Sequence, residues 1–145
     1  MQPVQILLVE DSPDDILLTE EALSDARIAN DLHSVMDGEA AMAFLRREGD
    51  YTGAPQPDLV ILDLNLPKKD GREVLKEIRE DPGLTSLPVI VLSTSAAAED
   101  IAGSYAQHVN AYIQKPVDFD EFLRVVRSME EFWLSIVKLP GRDGA

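Results

Sequence analysis

Polar residues in this sequence stand where apolar runs end. Glu10 and Asp11 follow "QILLV", Asp63 follows "DLVIL" with Asn65 two residues on, Ser93 and Thr94 follow "PVIVL", and Lys115 follows "AYIQ" just before Pro116. If those runs are parallel strands, three carboxylates, a hydroxyl and an ammonium converge at one edge of a sheet. Three acids alone repel one another and raise at least one pKa. A hard divalent cation removes that conflict, and Mg2+ favours a few carboxylate oxygens completed by water and phosphate oxygens. Three carboxylates, one Mg2+ and the Lys115 ammonium sum to zero charge, so such a site can accept a phosphoryl group on a carboxylate. A single strand-end Asp is ordinarily a turn or capping residue. Here Ser12 already occupies the cap position of the next helix, which leaves Glu10 and Asp11 surplus to capping.

The elements that must position these groups are legible as alternation. The strand readings are 5–10, 58–63, 88–93 and 111–115, with a weaker one, "DLHSVM", at 31–36. Continuous Val/Ile/Leu runs suit a parallel sheet covered on both faces. Helical patterns fill the gaps. "SPDDILLTEEALSDA" opens on Ser12 and Pro13, with Ile16, Leu17, Ala22 and Leu23 at helical spacing. "DGEAAMAFLRRE" carries Ala40, Phe44 and Leu45, and "GREVLKEIRED" carries Val74, Leu75 and Ile78. "AAAEDIAGSYAQHV" is rich in small residues and contains Gly103, which costs about 1 kcal/mol in a helix interior. It is expected to be the least stable element and the one that moves. A last helix, 118–137, opens with Asp118 and Glu121 in a capping arrangement. Strand–helix alternation of this kind builds a doubly wound α/β sheet of about five strands, with ligands beyond the carboxyl ends of the strands.

The totals narrow the classes. The chain of 145 residues is one ordinary domain, 45% hydrophobic, without Cys and with net charge −14. Disulfides and thiolate metal sites are excluded. The negative field opposes direct binding to nucleic acid or anionic lipid. No apolar run approaches the ~20 residues that span a bilayer, and the N-terminus lacks the basic start of a signal peptide. The expected location is cytoplasmic.

Taken in order and at their intervals, "LLVEDSPDD", "VILDLNLPKKDG", "VIVLSTS" and "AYIQKPVD" make the chain resemble the receiver domain of two-component response regulators over roughly residues 4–127. The resemblance implies a flavodoxin-like five-stranded parallel sheet in the order 2-1-3-4-5, with an extended C-terminal helix. It implies Asp63 as phosphoacceptor, Asp11 as direct Mg2+ ligand, Glu10 acting through water, and the Asn65 backbone carbonyl on the metal. Ser93 resembles the switch hydroxyl, Tyr112 the aromatic switch, and Lys115 the partner of the phosphoryl group, with a cis Lys115–Pro116 bond. The implied donor is a phosphohistidine of a sensor histidine kinase. Glu10 stands where the family commonly has Asp, and Ser93 where it commonly has Thr; both keep the required chemistry. Asn65 and Ser95, each two residues past a site residue, are expected to set the lifetime of the phosphoryl group.

The division expected is a receiver at 1–127 and a helix extension with tail at 128–145, without an output domain. Phe119, Phe122, Leu123, Val126, Met129 and Trp133 make one apolar stripe of the last helix. Phe132, Trp133 and Ile136 are expected to project beyond the domain as a homodimer surface. This tail and the loop at 48–58 resemble the short regulators that pair with bacterial and cyanobacterial phytochrome kinases. The chain is not expected to be an enzyme beyond its own phosphorylation and dephosphorylation. An aspartyl-phosphate phosphatase would need an acid–base carboxylate at position 65, which holds Asn, and a flavin or nucleotide carrier would need a phosphate cradle where "EDSPDD" is acidic. A structural receiver that has lost phosphorylation is a third alternative, though the required groups are all present. His33 and His108 stand apart, without metal spacing.

Overall fold

The first apolar run forms strand β1, Val4–Val9, and ends one residue before Glu10. The structure, a computed structural model, describes residues 3–25, 29–115, 120, 124, 127 and 128. After β1 come helix α1 (Pro13–Ser24), β2 (Asn30–Val35), α2 (Gly38–Arg46), a short 3-10 turn (Gly49–Tyr51), β3 (Leu59–Leu62), α3 (Gly71–Glu80), β4 (Val89–Ser93), α4 (Ala98–Ala106) and β5 (Ala111–Gln114). The strands pair in parallel in the order β2-β1-β3-β4-β5, the order that the resemblance implies.

Strand alternation divides the core in two. Leu7, Val9, Val60, Leu62, Val89 and Val91 face one side and pack with Phe44, Leu45, Val74, Leu75 and Ile78 of α2 and α3. Ile6, Leu8, Ile61, Ile90 and Leu92 face the other, against Ala22 and Leu23 of α1. The three inner strands need apolar residues on both faces, which is why they read as unbroken runs. The edge strands β2 and β5 are only partly buried.

Local chemistry starts α1, α2 and α3. The Ser12 hydroxyl accepts from the Asp15 amide, Asp37 caps α2 by accepting from Ala40, and Asp70 caps α3 by accepting from Arg72. One expected apolar face turns out differently. Leu17 is 56% exposed, whereas Ile16 and Leu18 pack against the core. The buried stripe of α1 passes through Thr19, whose hydroxyl is satisfied by the carbonyl of Asp15 at 2.8 Å. A polar member hid the phase of the helix. The Lys115–Pro116 bond, the capping pair Asp118 and Glu121, and the apolar residues of the last helix, including Phe132, Trp133 and Ile136, lie outside the described residues.

Candidate functional site

Register brings the strand ends together. Val9 pairs with Leu62, so Glu10 and Asp63 stand side by side just past β1 and β3, and the Asp63 amide donates to the Val9 carbonyl at 3.0 Å. Ser93 pairs with Gln114, and the Lys115 amide donates to the Ser93 carbonyl at 2.7 Å. Position 71 explains its glycine here. A Cβ on Gly71 would lie 2.2 Å from the Asp63 carbonyl oxygen, so only glycine lets α3 begin directly beneath the Asp63 turn. The Gly71 amide donates to the Leu64 carbonyl at 2.9 Å, which holds that turn closed.

Carboxylate oxygens from Glu10, Asp11 and Asp63 all lie within 4.8 Å of one another. Glu10 is 3% exposed and Asp63 is buried, while Asp11 faces solvent. Hard oxygen donors at this spacing, open on one side, fit a divalent ion of the Mg2+ type and leave room for water and phosphate oxygens. The Lys115 side chain is 6% exposed, and its ammonium donates to Asp63 at 3.0 Å, to Asp15 at 2.8 Å and to Glu10. The Asn65 amide donates to the other Asp63 oxygen at 3.1 Å, and the Ser12 amide donates to Glu10 at 3.1 Å.

Burial dominates the electrostatics of Glu10 and pushes its pKa up to about 7, with the Asp63 charge acting in the same direction. The hydrogen bond and charge of Lys115 and the Ser12 amide oppose this without overcoming it. For Lys115, burial works against the ammonium, but hydrogen bonds to Asp15 and Glu10 and the charges of Asp63 and Glu10 outweigh it and raise its pKa. The ammonium is the charge that persists at neutral pH, because several acids share it; Glu10 is the acid that is short of positive charge.

Behind this cluster a second network reaches the surface. The fully buried Ser93 hydroxyl accepts from the Ser95 amide at 3.3 Å. The Ser95 hydroxyl donates to Asp100 at 2.6 Å, and the Tyr112 hydroxyl donates to the Ser95 carbonyl at 2.7 Å. Arg72 of α3 grips both Asp100 oxygens at 2.8 Å. The Arg72 hydrogen bond, then that from Ser95, holds the Asp100 carboxyl down at about 2.

A family model for the response regulator receiver domain matches residues 6–127. This chain is a member of that family. The response regulator Rcp1 of Synechocystis sp. is 49% identical over 138 residues, which covers 95% of this chain and 94% of that protein. The crystal structure of the phosphorylated cyanobacterial phytochrome response regulator RcpA is similar at 51% identity and a TM-score of 0.91, over 96% of this chain and 99% of that one. The Mn(2+)-bound form of Rcp1 is similar at 48% identity and a TM-score of 0.90, over 95% of this chain and 99% of that one. As a receiver, the protein accepts a phosphoryl group from a sensor histidine kinase on an aspartate with the help of a divalent metal.

Of the residues expected at the site, Glu10, Asp11, Asp63 and Lys115 are brought into one cluster. Asn65 touches Asp63 through its amide, and Ser93 and Tyr112 meet through Ser95. The sequence reading missed Asp15, Arg72 and Asp100. For Asp15 there was a signal: it falls four residues after Asp11 in the first turn of a helix whose start was already marked by Ser12 and Pro13.

Proposed function

We propose that Asp63 is the phosphoacceptor, that Asp11, Glu10, Asp63 and the backbone carbonyl of Asn65 hold Mg2+, and that Lys115 pairs with the incoming phosphoryl group. The observation that carries this reading is the Lys115 ammonium 3.0 Å from Asp63, within an acid cluster open to solvent on the Asp11 side. A carboxylate oxygen of Asp63 attacks phosphorus in line as the bond to the donor imidazole nitrogen breaks, and the imidazole leaves with the electron pair. A bound divalent ion supplies charge neutralisation for the phosphoryl oxygens. Lys115 faces the new charge and gives up part of its hold on Asp63. Water later attacks the acyl phosphate and regenerates the carboxylate, with Asn65 and Ser95 setting the rate by flanking the approach.

Phosphorylation adds charge and acceptor oxygens beside Ser93. The Ser93 hydroxyl turns toward them and draws the 94–97 loop, to which Tyr112 and Asp100 are bonded. The surface formed by α4 and β5 then changes for its partner. The receiver is residues 1–127 and the extension 128–145. The donor is a kinase of the phytochrome class, a reading supported by the likeness to RcpA and Rcp1. The protein acts in the cytoplasm, binds no nucleic acid directly, turns over no external ester, and pairs as a homodimer through Phe132, Trp133 and Ile136.

The test is incubation with Mg2+ and acetyl phosphate, followed by mass mapping. The expected product is one hydroxylamine-labile phosphoryl group on Asp63, absent without metal and absent in Asp63→Asn. Label on another residue, or label retained in Asp63→Asn, overturns the assignment. Sedimentation of the full chain at micromolar concentration, with and without beryllium fluoride, tests the dimer; a monomer in both states refutes it.

A further inference from the structure

Lys115 is held by one acid that the metal cluster does not use. Asp15 sits in the first turn of α1 and bonds the ammonium at 2.8 Å, but it is not among the oxygens gathered by Glu10, Asp11 and Asp63. Its backbone is fixed on both sides. The Asp15 amide donates to the capping Ser12 hydroxyl at 3.3 Å, and its carbonyl accepts from the buried Thr19 hydroxyl at 2.8 Å. An ammonium has three N–H donors. Among the described residues, three carboxylates take them, and two of those carboxylates belong to the metal cluster.

Lys115 and a divalent ion therefore compete for Glu10 and Asp63. Glu10 and Asp63 would each give an oxygen to a divalent ion bound there, and their grip on the ammonium would loosen. Asp15 keeps its own grip, because it lies on the α1 side and gives the metal nothing. We infer that Asp15 is a positioning residue for Lys115: it draws the ammonium toward α1, so that Lys115 shares Asp63 with the metal instead of displacing it and stays aimed at the incoming phosphoryl group. The inference deepens the reading of Lys115 and Asp63 given above and rests on it. Asp14 is the natural comparison. It is the adjacent acid and carries the same charge, but it faces solvent.

The experiment compares wild type with Asp15→Asn, Asp15→Glu and Asp14→Asn in the full chain. Mg2+ affinity is read by calorimetry, and the rate and KM for acetyl phosphate are read at saturating Mg2+. Asp14→Asn reports the loss of one charge from the general field. Asp15→Asn is expected to bind Mg2+ about fivefold more weakly than Asp14→Asn, because Lys115 settles fully on Glu10 and Asp63. Its maximal phosphorylation rate is expected to fall about tenfold with little change in KM, as befits a misaimed group. Asp15→Glu, which restores the charge, is expected to recover most of both.

Equal Mg2+ affinity and equal rate in Asp15→Asn and Asp14→Asn overturn the inference. So does a loss in Asp15→Asn that Asp15→Glu leaves unrepaired, which assigns the effect to packing. Failure of wild type to take phosphate on Asp63 sinks the phosphoacceptor assignment instead, and the calorimetric comparison still judges Asp15 separately.

Discussion

Two cations are drawn inward at opposite ends of the sheet, and their surroundings differ in kind. Lys115, beyond the carboxyl end of β5, is bonded to carboxylates: Glu10, Asp15 and Asp63. Arg79, in the last turn of α3, is bonded to carbonyls: Gln107 at 2.7 Å, Thr85 at 3.1 Å, Leu87 at 2.7 Å and His108 at 2.9 Å. Burial lowers the Arg79 pKa, and no acid among the described residues is paired with it, whereas the acids around Lys115 raise its pKa. Carbonyl dipoles cannot be traded for another ligand without breaking the fold, so Arg79 staples the ends of α3 and α4 to the starts of β4 and β5. Carboxylates can exchange an ammonium for a metal, and the ammonium can exchange a carboxylate for a phosphoryl oxygen, so Lys115 sits in a place made for chemistry.

The contrast is sharpest in phosphoryl uptake. Lys115→Met is expected to slow phosphorylation by acetyl phosphate about a hundredfold or more, the usual cost of losing a charge that stabilises the transferring group. Arg79→Met is expected to leave the rate within about twofold. Comparable losses in both would erase the distinction.

Stability reverses the ranking. Arg79→Met leaves several carbonyls unpaired and is expected to cost about 3 kcal/mol in urea unfolding, with or without Mg2+. Lys115→Met is expected to cost less in EDTA, because Glu10 can take up a proton, and the deficit should shrink when Mg2+ is added.

A smaller effect concerns pH. In EDTA, the folded state holds the Glu10 proton up to about 7, whereas the unfolded chain releases it near 4.5, the ordinary value for a glutamate. Between those values the unfolded state binds fewer protons, so stability falls as pH rises, on the order of 3 kcal/mol in total, and levels off above pH 7. Glu10→Gln should flatten that slope, and so should Mg2+, which favours the ionised acid. The raised Lys115 adds stability that is lost only in alkali, and the depressed Asp100 adds stability that is lost only as pH falls toward about 2. A wild-type slope in EDTA that matches Glu10→Gln would show that Glu10 is not the group responsible.

The smallest expected difference lies between the helices joined by Arg72 and Asp100. α3 buries Val74, Leu75 and Ile78, whereas α4 buries Ser104, has no side-chain cap and contains Gly103. Amides at 98–106 should exchange about tenfold faster than those at 71–80. Equal protection would mean that the 94–97 loop is not attached to a yielding helix.

Among the described residues, the alternation of strands and helices, the strand bounds to within a residue, and the placing of Glu10, Asp11, Asp63, Ser93 and Lys115 at strand ends were legible in the sequence, whereas the helix patterns overran, most of all 96–109 against Ala98–Ala106. Each depends on local information: an apolar run long enough for a strand, then the residue that ends it. Ser12 before Pro13 marked a helix start for the same reason. Three matters were decided by tertiary structure. Leu17 faces solvent although Ile16 and Leu18 pack inward, because the core lies on the side of α1 that carries Thr19. Arg79 reaches the carbonyls of residues near 85 and 107, which no spacing along α3 announces. Asp15 meets a lysine one hundred positions away while its neighbour Asp14 faces solvent. The physical reason is common to all three. A helix turns about 100° per residue, so its sequence lists the faces but not which one will meet the sheet, and only packing against strands distant in the chain sets that angle.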